Sequence, residues 1–151
     1  MEQRLSVMEG DRCVATFSVS TSRYGAGEQA DSLCTPCGAH QIRAKIGAGL
    51  PPGAVLRGRR PTGEIWNAAL AARYPGRDWI LTRILWLSGL EVGRNRLGSV
   101  DTMRRYIYIH GTPDPEPVGM PFSHGCIRMR NADVQHLFDM IDVGAVVNIS
   151  P

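Results

Sequence analysis

Four prolines (Pro113, Pro115, Pro117 and Pro121) fall within nine residues of this chain. Each fixes φ and lacks an amide donor, so neither a helix nor an interior strand can run through them. The stretch must be a stiff loop joining the segments on its two sides. Before it, Arg105-Tyr106-Ile107-Tyr108-Ile109 is β-branched and aromatic, and predicts a strand that delivers His110 at its end. After it comes Ser123-His124-Gly125-Cys126-Ile127-Arg128-Met129. A strand end can fix His110, and the stiff loop can return Cys126 beside it.

The rest of the chain reads as a scaffold for that return. Leu5 to Met8, a Glu9-Gly10-Asp11 turn and Cys13 to Ser20 predict a β-hairpin. Residues 21–33 have no periodicity and predict a surface loop. His40 to Ile46 alternates with period two, so one face should be buried. Ala54 to Arg60, between two Pro/Gly turns, predicts one short strand, and Ala68 to Arg73 a helix cut short by Pro75-Gly76. Trp79 to Leu87 has the length of a buried strand, although a helix shares its pattern. Residues 88–102 predict another loop. Beyond the cysteine, Asn131 has the chemistry of an N-cap, and Asp133 sits where a helix dipole favours an acid. Val134, Leu137, Phe138 and Ile141 form one apolar helical stripe. Gly144 predicts a C-cap, and Ala145 to Ile149 a final strand. Strands dominate, with one clear helix.

The length of 151 residues predicts a single domain spanning residues 1–151, burying roughly two-thirds of its unfolded surface. A net charge of +3, carried almost wholly by scattered arginines with Lys45 the only lysine, offers no basic run for nucleic acid. No segment approaches the ~18 apolar residues of a membrane span. The N-terminus lacks the apolar core and cleavage site of a secretory signal. With Met1 as the native start, the expected compartment is the cytoplasm; with a leader trimmed away, it is the periplasm. Four cysteines, Cys13, Cys34, Cys37 and Cys126, are expected to stay reduced inside the cell.

Cys126 differs from an inert buried cysteine in lying between a glycine and a polar loop rather than within an apolar run. A thiol attacks as its thiolate, which a neighbouring imidazole can generate. His110 and His124 compete for that role. A side chain two residues from the cysteine in a tight turn often points away, whereas His110 is anchored by a strand. The carbonyl of Gly111 or Thr112 could hold its other ring nitrogen. His110 is therefore the expected base, and His124 an orienting group or structural hydrogen-bonder.

These residues carry a resemblance. His110-Gly111-Thr112, then Gly119, then Ser123-His124-Gly125-Cys126-Ile127-Arg128-Met129 with Asn131 is similar to the L,D-transpeptidase catalytic domain of the YkuD type. Val19-Ser20-Thr21 and Thr35-Pro36-Cys37-Gly38 resemble that family's upstream strand and turn; residues 50–100 match no motif. The resemblance implies a mainly β fold, a compact β-sandwich or barrel-like sheet pair with helical decoration. It implies Cys126 as nucleophile, His110 as base and the Gly111 carbonyl orienting the imidazole. The N–H groups of Gly125 and Cys126 would form an oxyanion hole, His124 and Ser123 would shape the site, and Arg128 would order the loop or meet a substrate carboxylate. The substrate implied is a peptidoglycan tetrapeptide or muropeptide, attacked at the L-centre of diaminopimelate with loss of D-alanine. No cofactor or metal is implied, and a carbapenem is the expected covalent inhibitor. In the cytoplasm, water as acceptor would give an L,D-carboxypeptidase of peptidoglycan recycling; outside it, an amine would give cross-links.

Two departures qualify the resemblance. His40 stands where the family's turn carries an aromatic residue. Cys34 and Cys37 form a C-x-x-C, so a non-catalytic thiol or zinc module built from Cys13, Cys34, Cys37 and nearby histidines is the alternative from another class.

Overall fold

The apolar run around residue 80 folds as the long strand β6 (Ile80–Gly89), and the computed structural model, which describes all 151 residues, is arranged about it. β3 (Gly38–Ile46) pairs antiparallel along one edge of β6, from Ile46 opposite Ile84 to His40 opposite Gly89. β4 (Ala54–Arg57) takes the remainder of that edge at Ile80 and Leu81. β7 (Tyr108–Thr112) takes the other edge, with His110 opposite Ile84. β5 (Arg60–Ile65) extends β4, β9 (Val146–Ile149) extends β3, and β8 (Ile127–Arg130) runs parallel to β7. These seven strands form one open sheet. The hairpin of β1 (Arg4–Glu9) and β2 (Arg12–Ser18) is a separate two-stranded sheet.

The main core lies where β2, one face of the large sheet and helix α2 (Asn131–Met140) meet. Phe17 and Val19 face Ile42, Leu85, Leu87, Ile107, Ile109, Ile127 and Met129, and α2 covers them with Val134, Leu137 and Phe138. Each such side chain contributes about 1.5–3 kcal/mol by leaving water. The stripe expected on α2 is thus the face it buries. The sandwich-like arrangement expected from the resemblance is present, but neither sheet closes into a barrel. No helix is long and apolar enough to cross a membrane.

Several local expectations are corrected. Ala54 to Arg60 is not one strand: Gly58 and Arg59, at φ +55° and +62°, make a two-residue turn between β4 and β5. Left-handed conformation at both positions is the geometry that matches the twist of a hairpin, and Gly-Arg is not the Asn-Gly signal that usually announces it. The short helix α1 (Ala68–Arg73) forms as expected, capped by the Asn67 side chain, so there are two helices rather than one. The strand expected to end at His110 begins at Tyr108, because Tyr106 turns the chain at φ +55°; His110 is central in β7. Arg130, not Asn131, is the N-cap of α2, since the Asn131 amide is engaged across the sheet. Gly144, at φ +91°, turns the chain into β9 beyond the helix end at Met140.

Candidate active site

Alternation along β7 and the residue before it divides the side chains between two environments. Ile107 and Ile109 enter the main core, while Tyr108 and His110 point to the opposite face. The parallel register sets His110 opposite Arg128 and Ile109 opposite Ile127, which brings Cys126 beside Tyr108. The contact is direct: the Tyr108 N–H donates to Cys126 Sγ at 3.4 Å, and the thiol donates to the Tyr106 carbonyl at 3.4 Å. Cys126 and His110 therefore share one face of one strand pair. On the other side, Ile109 and Ile127 help line an apolar cleft of about 550 Å³ beside β1 and β9, which includes neither Cys126 nor His110.

His110 is 1% exposed, and its Nδ1–H donates to the Gly111 carbonyl at 2.7 Å. That bond fixes the tautomer whose Nε2 carries the lone pair, the form that can accept a proton. Burial is the largest influence on the ring and pushes its pKa down; the Gly111 bond and Asp78 pull it up, and Arg128 pushes it down. Cys126 keeps part of its surface exposed, yet burial of its sulfur dominates and pushes the thiol up to about 12. The Tyr108 N–H, Arg128 and Arg105 favour the thiolate, and Asp78 opposes it. The resting pair is thus neutral thiol and neutral imidazole. Such a pair reacts by passing the proton as the sulfur attacks, not from a standing thiolate.

Gly111 could not be another residue: an added Cβ would lie 2.6 Å from the Leu81 carbonyl oxygen and against Asn131 Oδ1. Asn131 is the bracket of this corner. Its amide donates to the Thr112 carbonyl at 3.0 Å, and its Oδ1 accepts from Thr82 at 2.6 Å. Thr82 stands at φ +73° where β6 bulges, and its hydroxyl oxygen also accepts from the Gly53 N–H at 2.9 Å. A β-branched residue held left-handed is strained, and these bonds hold it.

The turn before Cys126 is braced from within and from outside. Ser123 is buried; its hydroxyl donates to the Cys126 carbonyl and accepts from the Gly125 N–H at 3.2 Å. Of the two N–H groups expected to form an oxyanion hole, that of Gly125 is therefore engaged in the resting structure. Thr35 donates to the Gly125 carbonyl at 2.9 Å, and Arg105 donates to the Cys34 carbonyl at 2.6 Å. Gly125 adopts φ +127°, which favours glycine. His124 is exposed, with its ring 6.2 Å from that of Tyr24, and makes no hydrogen bond to Cys126.

Arg128 is buried and bonds Asp78 at 2.9 Å and Glu116 at 3.2 Å, so it orders the proline loop rather than facing solvent. Asp78, Glu116, Arg105, Thr35 and Thr82 escape sequence reasoning. Asp78 and Thr82 lie in the stretch without a motif, Glu116 and Arg105 carry no pattern that separates them from ordinary polar residues, and Thr35 is legible only as part of a family-like turn, not as a brace of the cysteine. The donors of a thiol or zinc module are dispersed. Cys13 is exposed on β2, Cys37 is buried, and both ring nitrogens of His40 are engaged, by Gly38 and Thr102. No group of three or more metal-ligating side chains converges.

The family model described as the L,D-transpeptidase catalytic domain (YkuD) matches residues 1–149. The chain is 47% identical over 112 residues to a protein named "Probable L,D-transpeptidase ErfK/SrfK" of Salmonella typhimurium, covering 66% of this chain and 36% of that one. Its fold is similar to an L,D-transpeptidase from Mycobacterium smegmatis, with TM-score 0.60 and 17% identity over 99% of this chain and 55% of that one. It is also similar to L,D-transpeptidase 3 from Mycobacterium tuberculosis in complex with a faropenem-derived adduct, with TM-score 0.51 and 16% identity over 97% and 48%. The chain thus spans about a third of the Salmonella relative and about half of each solved chain. With a match across nearly its whole length, the chain belongs to the L,D-transpeptidase (YkuD) catalytic-domain family.

Proposed function

We propose that this domain performs cysteine-dependent acyl transfer on peptidoglycan stem peptides. The observation that carries it is the neutral His110, its Nδ1–H tied to Gly111 and its Nε2 left as acceptor on the face that bears the Cys126 thiol. The sulfur attacks the carbonyl at the L-centre of diaminopimelate while His110 takes the thiol proton. The new C–S bond forms, the C–N bond to D-alanine breaks, and the imidazolium returns its proton to the leaving amine. The product is a thioester on Cys126.

Water then attacks the thioester, with His110 taking its proton, and releases a tripeptide; the activity is that of an L,D-carboxypeptidase. The partly exposed side of Cys126 supports this acceptor. The transpeptidase names of the relatives support a second one, an amine of a neighbouring stem, which gives a cross-link. Mass analysis of a muropeptide tetrapeptide incubated with the protein separates them. A tripeptide without cross-linked dimer is expected; dimer without tripeptide overturns water as acceptor. Cys126→Ala should abolish both products, and full activity in that variant overturns the mechanism. The faropenem-derived adduct of the mycobacterial relative supports a carbapenem as a covalent probe of Cys126.

A further inference from the structure

A guanidinium with no carboxylate partner lies at the hydroxyl end of Tyr108, the residue whose N–H meets the thiol. Arg59 is the second residue of the β4–β5 turn, at φ +62°. Glycine or asparagine is the usual occupant there, and a non-glycine residue held left-handed persists only where surrounding contacts fix it. Those contacts are specific. Arg59 Nη1 donates to Tyr108 Oη at 3.0 Å, and its Cζ lies 4.6 Å from the centre of the Trp86 ring and 5.1 Å from that of Tyr106. Tyr106 is itself left-handed, and its carbonyl accepts the Cys126 thiol; the Tyr108 N–H donates to the same sulfur. The two residues that fix the sulfur thus also fix the guanidinium.

The two arginines whose charge reaches Cys126 are occupied. Arg128 is paired with Asp78 and Glu116, and Arg105 bonds the carbonyls of Gly27, Glu28 and Cys34. Arg59 enters no ion pair, and one Tyr108 bond leaves most of its donors free. A planar fork pre-ordered on aromatic rings is suited to a carboxylate. Its position says which one. The terminal D-alanine carboxylate adjoins the bond that Cys126 attacks, whereas Arg59 meets the hydroxyl end of the tyrosine whose N–H end meets the sulfur. That offset fits a carboxylate at the end of a methylene chain, with Trp86 and Tyr106 as an apolar wall for the methylenes.

We infer that Arg59 is a specificity residue: it binds the distal carboxylate of the diamino acid whose α-carbonyl Cys126 attacks. Stems carrying diaminopimelate are then preferred over stems carrying lysine, which lacks that group. The inference rests on the stem-peptide reading above. Its test compares kcat/KM on two tetrapeptides, one with diaminopimelate and one with lysine at the third position. The native protein should favour the first by about tenfold or more, the value of one charge-assisted bond. Arg59→Ala should erase that preference by slowing the first substrate while leaving the second within about twofold per folded molecule. Arg59→Lys, which keeps the charge but not the fork, should restore part of it. Equal rates of the native protein on both peptides, or equal slowing of both by Arg59→Ala, overturn the Arg59 assignment alone. Native protein that turns over neither peptide overturns the stem reading and this inference with it.

Discussion

His40 and His110 occupy matching environments on β3 and β7, the two strands that flank β6. Both are almost fully buried, both donate Nδ1–H to a backbone carbonyl (Gly38 and Gly111), and burial is what lowers the pKa of each. They differ at Nε2. In His40 that atom accepts from the Thr102 hydroxyl at 3.0 Å, which ties β3 to the loop that follows β6. In His110 Nε2 has no such bond, and the ring shares its face with a thiol. Burial and tautomer alone therefore do not make a base. The same preparation gives a structural strut where the second nitrogen is satisfied, and a proton acceptor where it is not.

Substitution should separate the two roles. His110→Gln should lower kcat/KM on the tetrapeptide about 10³-fold per folded molecule, within the range of a lost general base. A loss below tenfold would place the base elsewhere. His40→Gln should do the reverse, with activity per folded molecule retained and stability lowered by about 1–3 kcal/mol in urea unfolding, because Thr102 and Gly38 lose a partner in the interior. If His40→Gln instead lowers kcat with stability intact, the contrast fails.

The smallest effect tests what the two share. Each histidine is held neutral in the folded chain, while in the unfolded chain it takes a proton near pH 6.5. As pH falls through that value the unfolded state binds protons that the folded state refuses. Stability should drop, at no more than about 1.4 kcal/mol per pH unit for each histidine. His40→Gln should flatten that slope below about pH 6.5 but not remove it, since His110 still contributes. A slope unchanged by the substitution would mean that His40 takes a proton in the folded state.

Much of the site was legible because its signals are local. A proline-rich loop, a strand before it and His-Gly-Cys after it place Cys126 and His110 together without knowledge of the rest. The sheet was legible where alternation is clean, as in His40–Ile46. The features that stayed hidden depend on residues distant in sequence. Asn131 has the chemistry of an N-cap, but tertiary structure draws its amide to Thr112 and Thr82. Arg128 has the chemistry of a carboxylate receptor, but Asp78 arrives from a stretch without periodicity and occupies it. Tyr106 and Arg59 adopt backbone conformations their residue types disfavour, which no propensity predicts.

The parallel pairing of β7 with β8 also sets how far the chain must travel to bring Cys126 to His110. Every other pairing between strands of the two sheets is antiparallel, and β1 with β2 and β4 with β5 close through short turns. β8 reaches β7 through residues 113–126, a much shorter connection than the one that separates β3 from β9, and a shorter loop costs less chain entropy to close. Cys126 and His110 are thus near neighbours along the chain as well as in the fold. The pairing of β9 with β3, which brings the far end of the chain back across the sheet, is the closure that costs most.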